Sequence, residues 1–244
     1  MMGKTHIAGA LASWALVYPL LAKTSLATLT PQNVIVIAVS LGGTVLGGLL
    51  PDIDHPGSTI DRDLFGPLGK THIGELLGGV LLIGMSLSFR IPALRESIFH
   101  SPILQSTLTY YTPWISPVLG VLGAILVVVA SMKHRGITHS LLGMALFLWG
   151  IDTLFGLIPI LIPWRTVLML VCGAGYLSHL LLDLVAHGVP LFYPLTKKRI
   201  SLPFSINTGS FWDVVVIRFG LLVYFVFAVA TLYLPAAMLN RFHL

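Results

Sequence analysis

Long stretches of this sequence carry no charged side chain. Residues 24–51 and 97–132 contain no Asp, Glu, Lys or Arg, and a helix needs about 20 apolar residues to cross the hydrocarbon core of a bilayer. Over the whole chain, 9% of the residues are charged and 56% are hydrophobic, whereas soluble domains carry about 25% charged residues. So few charges cannot cover the surface of a water-soluble protein of 244 residues. This excludes a cytosolic globular enzyme, and the single cysteine excludes a disulfide-stapled secreted scaffold.

The charge-free stretches, with breaks at Pro and Gly clusters, predict an all-α fold, a polytopic membrane helical bundle. We expect one membrane-embedded domain, residues 1–244, with about seven transmembrane helices. They are predicted at about 6–22, 34–50, 72–89, 116–132, 139–158, 166–186 and 214–234. The first could also be read as a cleaved signal peptide, since a basic start and an apolar run precede small residues at 25–27. The six later segments favour a retained helix.

The ionisable residues gather on one side of this seven-helix map. Each pair of successive polar clusters is separated by a complete helical hairpin, so the clusters return to the same membrane face. Most of the basic residues also fall on this face, and the positive-inside rule therefore predicts that it is cytoplasmic. We expect the net charge of +5 to reflect this topology, and we expect no nucleic-acid partner. The sequence leaves the oligomeric state open.

The strongest polar motif is the His179–Asp183 pair near the end of the sixth predicted helix. Residues four apart on a helix point to the same side. One helix can in this way offer a nitrogen and an oxygen ligand to one metal, or one ligand to each of two neighbouring metals. An intramembrane hydrogen bond between the two side chains is the alternative, but ionisable groups at membrane depth usually mark function.

A second motif, Pro-Asp-Ile-Asp-His-Pro, follows the second predicted helix. Asp52 and Asp54 are two residues apart, so in an extended segment they project to the same side. His55 projects away from them, where it could orient a metal ligand or transfer a proton. A solvated acidic turn is the alternative interpretation.

A third cluster, Lys-His-Arg-Gly-Ile-Thr-His-Ser, connects the fourth and fifth predicted helices. His134 and His139 can converge only if the turn at Gly136 brings them together. Arg135 between them is a permanent charge suited to a carboxylate or phosphate. His6 opens the first helix on the same predicted face. A basic loop is also what the positive-inside rule predicts, although that rule does not account for the two histidines.

Together these clusters supply a set of nitrogen and oxygen ligands without thiolates. This composition suits Zn²⁺, or Mn²⁺ or Fe²⁺ in a more octahedral site. Seven candidates exceed the three protein ligands of a mononuclear catalytic zinc site, so we expect two ions with a bridging water and a hydrolytic reaction. The predicted metal ligands are His6, Asp52, Asp54, His134, His139, His179 and Asp183.

The three motifs, in this order, resemble those of the YdjM-like family of bacterial inner-membrane metal-dependent hydrolases. Gly-Val-Pro-Leu-Phe-Tyr-Pro at 188–194 and the N-terminal Gly-Lys-Thr-His fit the same family. The resemblance implies a multi-pass protein of the bacterial inner membrane with metal-dependent hydrolase activity. The stretch 58–132 looks longer than in compact relatives, which indicates an added helical hairpin and makes His72 a doubtful ligand. His187 stands where relatives often have proline and is not carried over as a ligand.

We therefore expect a membrane-bound hydrolase in which Arg135 stabilises charge developing on the substrate and His55 assists proton transfer. A site at headgroup depth favours a phosphoester or lipid-linked substrate. Lys197, Lys198 and Arg199 could hold an anionic headgroup. Two alternatives remain: a metal or proton transporter that uses the same residues as a relay, and a non-catalytic membrane scaffold.

Overall fold

The structure is a computed structural model that describes residues 3–22, 30–55, 58, 65–70, 72–131 and 136–242. Helices dominate, and the described part of the chain contains no β-strand beyond an isolated bridge between Val189 and Ile200. The α-helices are α1 (Gly3–Ala22), α2 (Pro31–Leu49), α3 (Ile73–Arg90), α4 (Pro92–Ile98), α5 (Pro102–Ala130), α6 (Leu141–Gly156), α7 (Arg165–Ala186) and α8 (Gly220–Phe242). An all-α fold is thus confirmed.

Shorter helical segments connect or extend these helices. Among the described residues, four 3₁₀ segments cover Leu50–Asp54, Gly66–Lys70, Ile137–His139 and Pro159–Trp164. A π-helix, Trp212–Phe219, leads directly into α8. Runs of π-helix are rare and frequently lie at functional sites.

Five described segments are long and apolar enough to cross a membrane: Asn33–Asp54, Ile73–Arg90, Ile103–Ala130, Leu161–Ala186 and Trp212–Thr231. The predicted count of seven spans is therefore not confirmed, although a helix occupies each predicted position. The apolar helix α6 has 16 residues. At 1.5 Å per residue it is about 24 Å long, less than the hydrocarbon core of about 30 Å. The helix α1 is not among the five.

The chain divides into two compact units. The first unit comprises Met1–Asp52, Arg135–Asp152 and Pro163–Leu244, and the second comprises Ile53–His134 and Thr153–Ile162. The first unit contains α1, α2, most of α6, α7 and α8. The second contains α3, α4 and α5, and the stretch 58–132, predicted as an added hairpin, falls within it.

Glycines bring the helices of the first unit into close contact. A Cβ atom on Gly47 of α2 would lie 2.3 Å from the backbone oxygen of Cys172 on α7, and one on Gly175 of α7 would lie 2.0 Å from the backbone oxygen of Thr44. Only glycine permits such backbone contact, which is the usual way for membrane helices to pack tightly. A hydrogen bond from Trp14 Nε1 to Ser40 Oγ (2.9 Å) joins α1 to α2.

The second unit has its own close contact between helices. A Cβ on Gly79 of α3 would lie 2.7 Å from the backbone oxygen of Gly123 on α5. The buried hydroxyl of Ser86 donates to the carbonyl oxygen of Ser116 (2.7 Å), and Arg90 Nε donates to Ser116 Oγ (2.6 Å). These bonds supply partners for polar groups that would otherwise be costly inside an apolar helical pair.

Candidate metal centre

One end of the first unit collects histidines and aspartates from four helical elements. His6 lies in the first turn of α1, and Asp52 lies in the 3₁₀ segment that follows α2. His139 ends the 3₁₀ segment before α6, while His179 and Asp183 lie in the last two turns of α7. The start of α1, the end of α2, the start of α6 and the end of α7 therefore meet, as the alternation of the helices predicts.

Four of these side chains place one ligand atom each around a common point. The Nε2 atoms of His139 and His179 are 3.4 Å apart. Asp52 Oδ1 lies 3.4 Å from Nε2 of His139 and 3.6 Å from that of His179. Asp183 Oδ2 lies 3.5 Å and 3.6 Å from the same two nitrogens. The four side chains form a group whose ligand atoms all lie within 4.8 Å of one another and could hold a metal ion.

The five separations given above are compatible with the edges of a tetrahedral metal site. In a regular tetrahedron with edges of this length, each corner lies about 2.1–2.2 Å from the centre, and Zn–N and Zn–O bonds in proteins are about 2.0–2.2 Å long. The two carboxylates also compensate the charge of a divalent cation. Without a cation, two imidazole nitrogens and two carboxylate oxygens would face one another in a buried space, which is unfavourable unless protons are shared between them.

The backbone sets the tautomer of His179. Its Nδ1 atom lies 2.8 Å from the carbonyl oxygen of Gly48 at the end of α2. A carbonyl oxygen only accepts hydrogen bonds, so Nδ1 carries the proton and, in the neutral ring, Nε2 presents its lone pair to the other three ligand atoms. Metal-ligating histidines typically donate their second ring N–H in this way. His179 therefore directs Nε2, and not Nδ1, to the other three ligand atoms.

The ring of His139 is held by its neighbour in sequence. Its Nδ1 atom is 3.1 Å from Thr138 Oγ1, a hydroxyl that can donate or accept. The carbonyl oxygen of Thr138 accepts a hydrogen bond from the Tyr176 hydroxyl on α7. This bond attaches the 3₁₀ segment before α6 to α7 and so holds His139 beside His179.

His6 lies against the other side of Asp183. Its Nε2 atom is 3.3 Å from Asp183 Oδ1, and its ring stacks on that of His179 with centroids 3.7 Å apart. Within the part of the chain that the structure describes, neither ring nitrogen of His6 makes a hydrogen bond of acceptable geometry. A fully buried imidazole without hydrogen bonds lacks compensation for its desolvation, and a metal ion beside Asp183 Oδ1 would supply it.

The ligand atoms differ in their access to the surroundings. The side chains of His6, His139 and His179 are 0% exposed and that of Asp183 is 4% exposed, whereas that of Asp52 is 22% exposed. Asp52 is therefore the most accessible of these five side chains.

A network beside the centre was not predicted from the sequence. The hydroxyl of Thr5 donates to Asp213 Oδ1 (2.7 Å), and Arg218 Nε donates to Thr5 Oγ1 (3.2 Å). Asp213 is fully buried and also accepts a hydrogen bond from the backbone N–H of Gly209 (2.8 Å). The network joins the residue before His6 to the π-helix. The signal available in the sequence was Asp213 and Arg218, a pair of opposite charges at the two ends of an otherwise apolar helical segment.

The remaining predicted site residues belong to the second unit or lie outside the described residues. Asp54 is fully buried and His55 is exposed, and both belong to the second unit. His134 and Arg135 lie outside the described residues, so their roles stay predictions. His187, which was not expected to be a ligand, lies 2.8 Å through Nε2 from Thr208 Oγ1.

Two further pairs of ionisable side chains are in contact with each other. His72, already doubtful as a ligand, has a left-handed backbone (φ 54°) and contacts Glu75 through Nδ1 at 3.2 Å, within the second unit. Asp152 and Arg165 form a two-pronged ion pair in the first unit, exposed to the surroundings. Asp152 lies 11 residues beyond the start of α6, about 16 Å along the helix.

Comparison with protein-family models matches the whole chain, residues 1–244, to the family described as YdjM inner membrane protein. Neither a search of curated proteins nor one of solved structures finds a significant match. The family and the apolar helices agree on a multi-pass protein. The chain belongs to the YdjM inner membrane protein family.

Proposed function

We propose that this protein is a membrane-bound, metal-dependent hydrolase whose substrate is a phosphoester or a lipid-linked molecule. The convergence of His139, His179, Asp52 and Asp183, whose ligand atoms all lie within 4.8 Å of one another, carries this proposal. When bound there, a divalent ion such as Zn²⁺ would supply Lewis acidity and lower the pKa of a coordinated water toward neutrality. Zinc fits the donor set and the separations, while Mn²⁺ and Fe²⁺ are alternatives with the same donors.

The unequal burial of the ligands favours a catalytic centre over a purely structural one. Catalytic zinc sites have three protein ligands and one position open to water or substrate. His139, His179 and Asp183 are almost completely enclosed, whereas Asp52 is partly exposed. We propose that the three enclosed residues hold the ion and that Asp52 lies at the open position. Its carboxylate would orient the attacking water there and accept the proton of that water.

A second ion next to the first is part of the proposal. Asp183 directs Oδ2 to His139 and His179, and Oδ1 to His6. A carboxylate with this arrangement can bridge two metals, as in two-metal hydrolases. His6 would then be a ligand of the second ion. Arg135 is proposed to stabilise negative charge on the substrate, and His55 to assist proton transfer.

An apolar groove on the first unit supports a substrate with a hydrocarbon chain. The groove, about 290 Å³ in volume, lies between α1, α6 and α7. Its lining on α7 extends from Leu177 to Leu170, and Met144 and Leu148 line it on α6. These α7 residues are two and nine positions before His179, so the groove begins about 3 Å from His179 along the helix axis and ends about 14 Å away. A chain lying there would place its headgroup near the metal centre.

The experiment measures metal content and hydrolysis in the same preparations. Purified protein is loaded with Zn²⁺ or Mn²⁺ and screened for phosphate release from phosphoester lipids and prenyl phosphates. We expect His179→Gln to lose both metal and activity. Asp52→Asn should lose activity but retain most of the metal, since the three enclosed ligands remain. Asp152→Asn is the matched control, because this carboxylate pairs with Arg165 instead.

Other outcomes distinguish the alternatives. Bound metal and metal uptake into proteoliposomes, with no hydrolysis of any lipid tested, would replace the hydrolase by a transporter. The absence of bound metal in wild-type protein, with an unchanged fold in His179→Gln, would leave a membrane scaffold.

A further inference from the structure

The connection between α7 and the π-helix is an ordered loop at the same end as the metal centre. This 187–211 loop lies between two segments able to span a membrane, Leu161–Ala186 and Trp212–Thr231. Val189 and Ile200 exchange both backbone hydrogen bonds, at 3.0 Å and 2.9 Å. Such a long connection without helices or strands of its own is unusual in a compact protein and commonly functional.

The loop is fastened to the ends of two helices. The backbone N–H of Leu202 donates to the carbonyl oxygen of Leu184, and that of Ile206 donates to Val185, both at 3.2 Å. At the start of α6, the backbone N–H of Leu141 donates to the carbonyl oxygen of Leu191 (2.9 Å). The loop therefore has a defined outer surface at the end of the bundle that holds His139 and Asp183.

Large apolar side chains point outward from this fastened loop. Leu195 is 92% exposed, and Phe192, Phe204, Phe211 and the adjoining Trp212 are each between 51% and 66% exposed. An ordered loop in water would gain by folding such side chains inward, because exposed apolar surface is unfavourable. Aromatic side chains at the ends of membrane helices are, in contrast, favourable in the interfacial layer of a bilayer.

A run of positive charge accompanies these apolar residues. Lys197, Lys198 and Arg199 are consecutive and exposed. The segment 187–212 contains no Asp or Glu, so the loop offers these cations no carboxylate of its own. Juxtamembrane clusters of Lys and Arg are attracted to anionic lipid headgroups.

We propose that the 187–211 loop is a docking surface for anionic lipid headgroups. Phe192, Leu195 and Phe204 enter the interfacial layer, and Lys197, Lys198 and Arg199 bind the headgroup phosphates. The loop thereby holds the metal centre at the depth of the lipid headgroups. This inference depends on the loop alone and stands whether or not the centre hydrolyses a substrate.

The test places a fluorescent NBD label at the most exposed apolar position. Cys172 is fully buried, so Leu195→Cys introduces a single accessible thiol. The labelled full-length protein is placed in nanodiscs of phosphatidylcholine, with or without phosphatidylglycerol. Quenching is then measured with a lipid that carries a nitroxide on its headgroup.

We expect a blue-shifted emission and strong quenching when phosphatidylglycerol is present, and a smaller effect in phosphatidylcholine alone. Changing Lys197, Lys198 and Arg199 together to Gln should abolish the difference between the two lipid compositions. Lys197→Arg with Lys198→Arg, which keeps the charge, should preserve it. A water-exposed label in both compositions would overturn the proposal. So would a label that is shielded equally in detergent and in both nanodiscs, since that points to a second copy or another protein on the loop.

Discussion

The replacement of His179 by Gln should abolish tight metal binding while leaving the helical fold in place. His179 is one of the three enclosed residues proposed to hold the ion, and its Nε2 lies 3.4 Å from that of His139 and 3.6 Å from Asp183 Oδ2. Structural zinc sites in small proteins bind with about 10–16 kcal/mol at neutral pH. An equal share of that binding energy for each of three ligands is about 3–5 kcal/mol, and every 1.4 kcal/mol changes the affinity tenfold. We therefore expect the zinc dissociation constant to rise by about two to four orders of magnitude.

The affinity is measured by competition between the purified protein and a chromophoric zinc chelator. His187→Gln is the matched control, because His187 lies at the end of the same helix and contacts Thr208 through Nε2. Its zinc affinity should equal that of the wild type. Circular dichroism of both variants reports whether the fold is retained. If a folded His179→Gln variant bound zinc as tightly as His187→Gln, the assignment of the tetrahedral centre would be refuted.

Three further predictions concern the packing and the support of the centre. Gly47→Ala should lower the melting temperature, because the new Cβ would lie 2.3 Å from the backbone oxygen of Cys172, and overpacking of this kind costs about 1–3 kcal/mol. Gly42→Ala on the same helix is the control, since a Cβ there has nothing within 4 Å. Equal melting temperatures of the two variants would contradict the contact between Gly47 and Cys172. Asp213→Asn should destabilise the protein by about 1–3 kcal/mol, since it disturbs buried hydrogen bonds to Thr5 and Gly209. Asp152→Asn should destabilise it less. If thermal unfolding showed the larger loss of stability in Asp152→Asn, Asp213 would not stabilise the position of α1. Ala174→Phe should fill the apolar groove and raise the KM for a long-chain lipid substrate of the proposed hydrolase, without altering the zinc content. Unchanged kinetics would exclude the groove as the binding site of the substrate's hydrocarbon chain.

Part of the centre could be predicted because periodicity is a local property. The spacing of His179 and Asp183 places both on one face of a helix, whatever the rest of the fold. The alternation of apolar helices also predicts that His6, Asp52 and His139 return to the same end of the bundle. These residues do meet in the structure. The roles proposed for Arg135 and His134 rest on the sequence alone.

The details of coordination depend on contacts between residues distant in sequence. The backbone oxygen that fixes the tautomer of His179 belongs to Gly48, 131 residues earlier. Asp213 meets Thr5 across 208 residues. Neither contact leaves a pattern in the sequence, because the first depends on how α2 and α7 approach each other and the second on how α1 approaches the π-helix. The number of membrane-spanning helices likewise depends on where each helix ends. The apolar sequence predicts a helix at about 139–158, whereas α6 has 16 residues, Leu141–Gly156.

The sequence by itself determined that this chain is a helical membrane protein, and it predicted that the ionisable residues gather on one face. That follows from the cost of placing charge in hydrocarbon, which acts on every segment separately. Only the tertiary structure decided that two histidines and two aspartates bring ligand atoms within 4.8 Å of one another, with Asp52 as the most exposed member. The physical reason is packing: glycines on α2 and α7 allow backbone contact, and the positions of the ligand atoms follow from that contact.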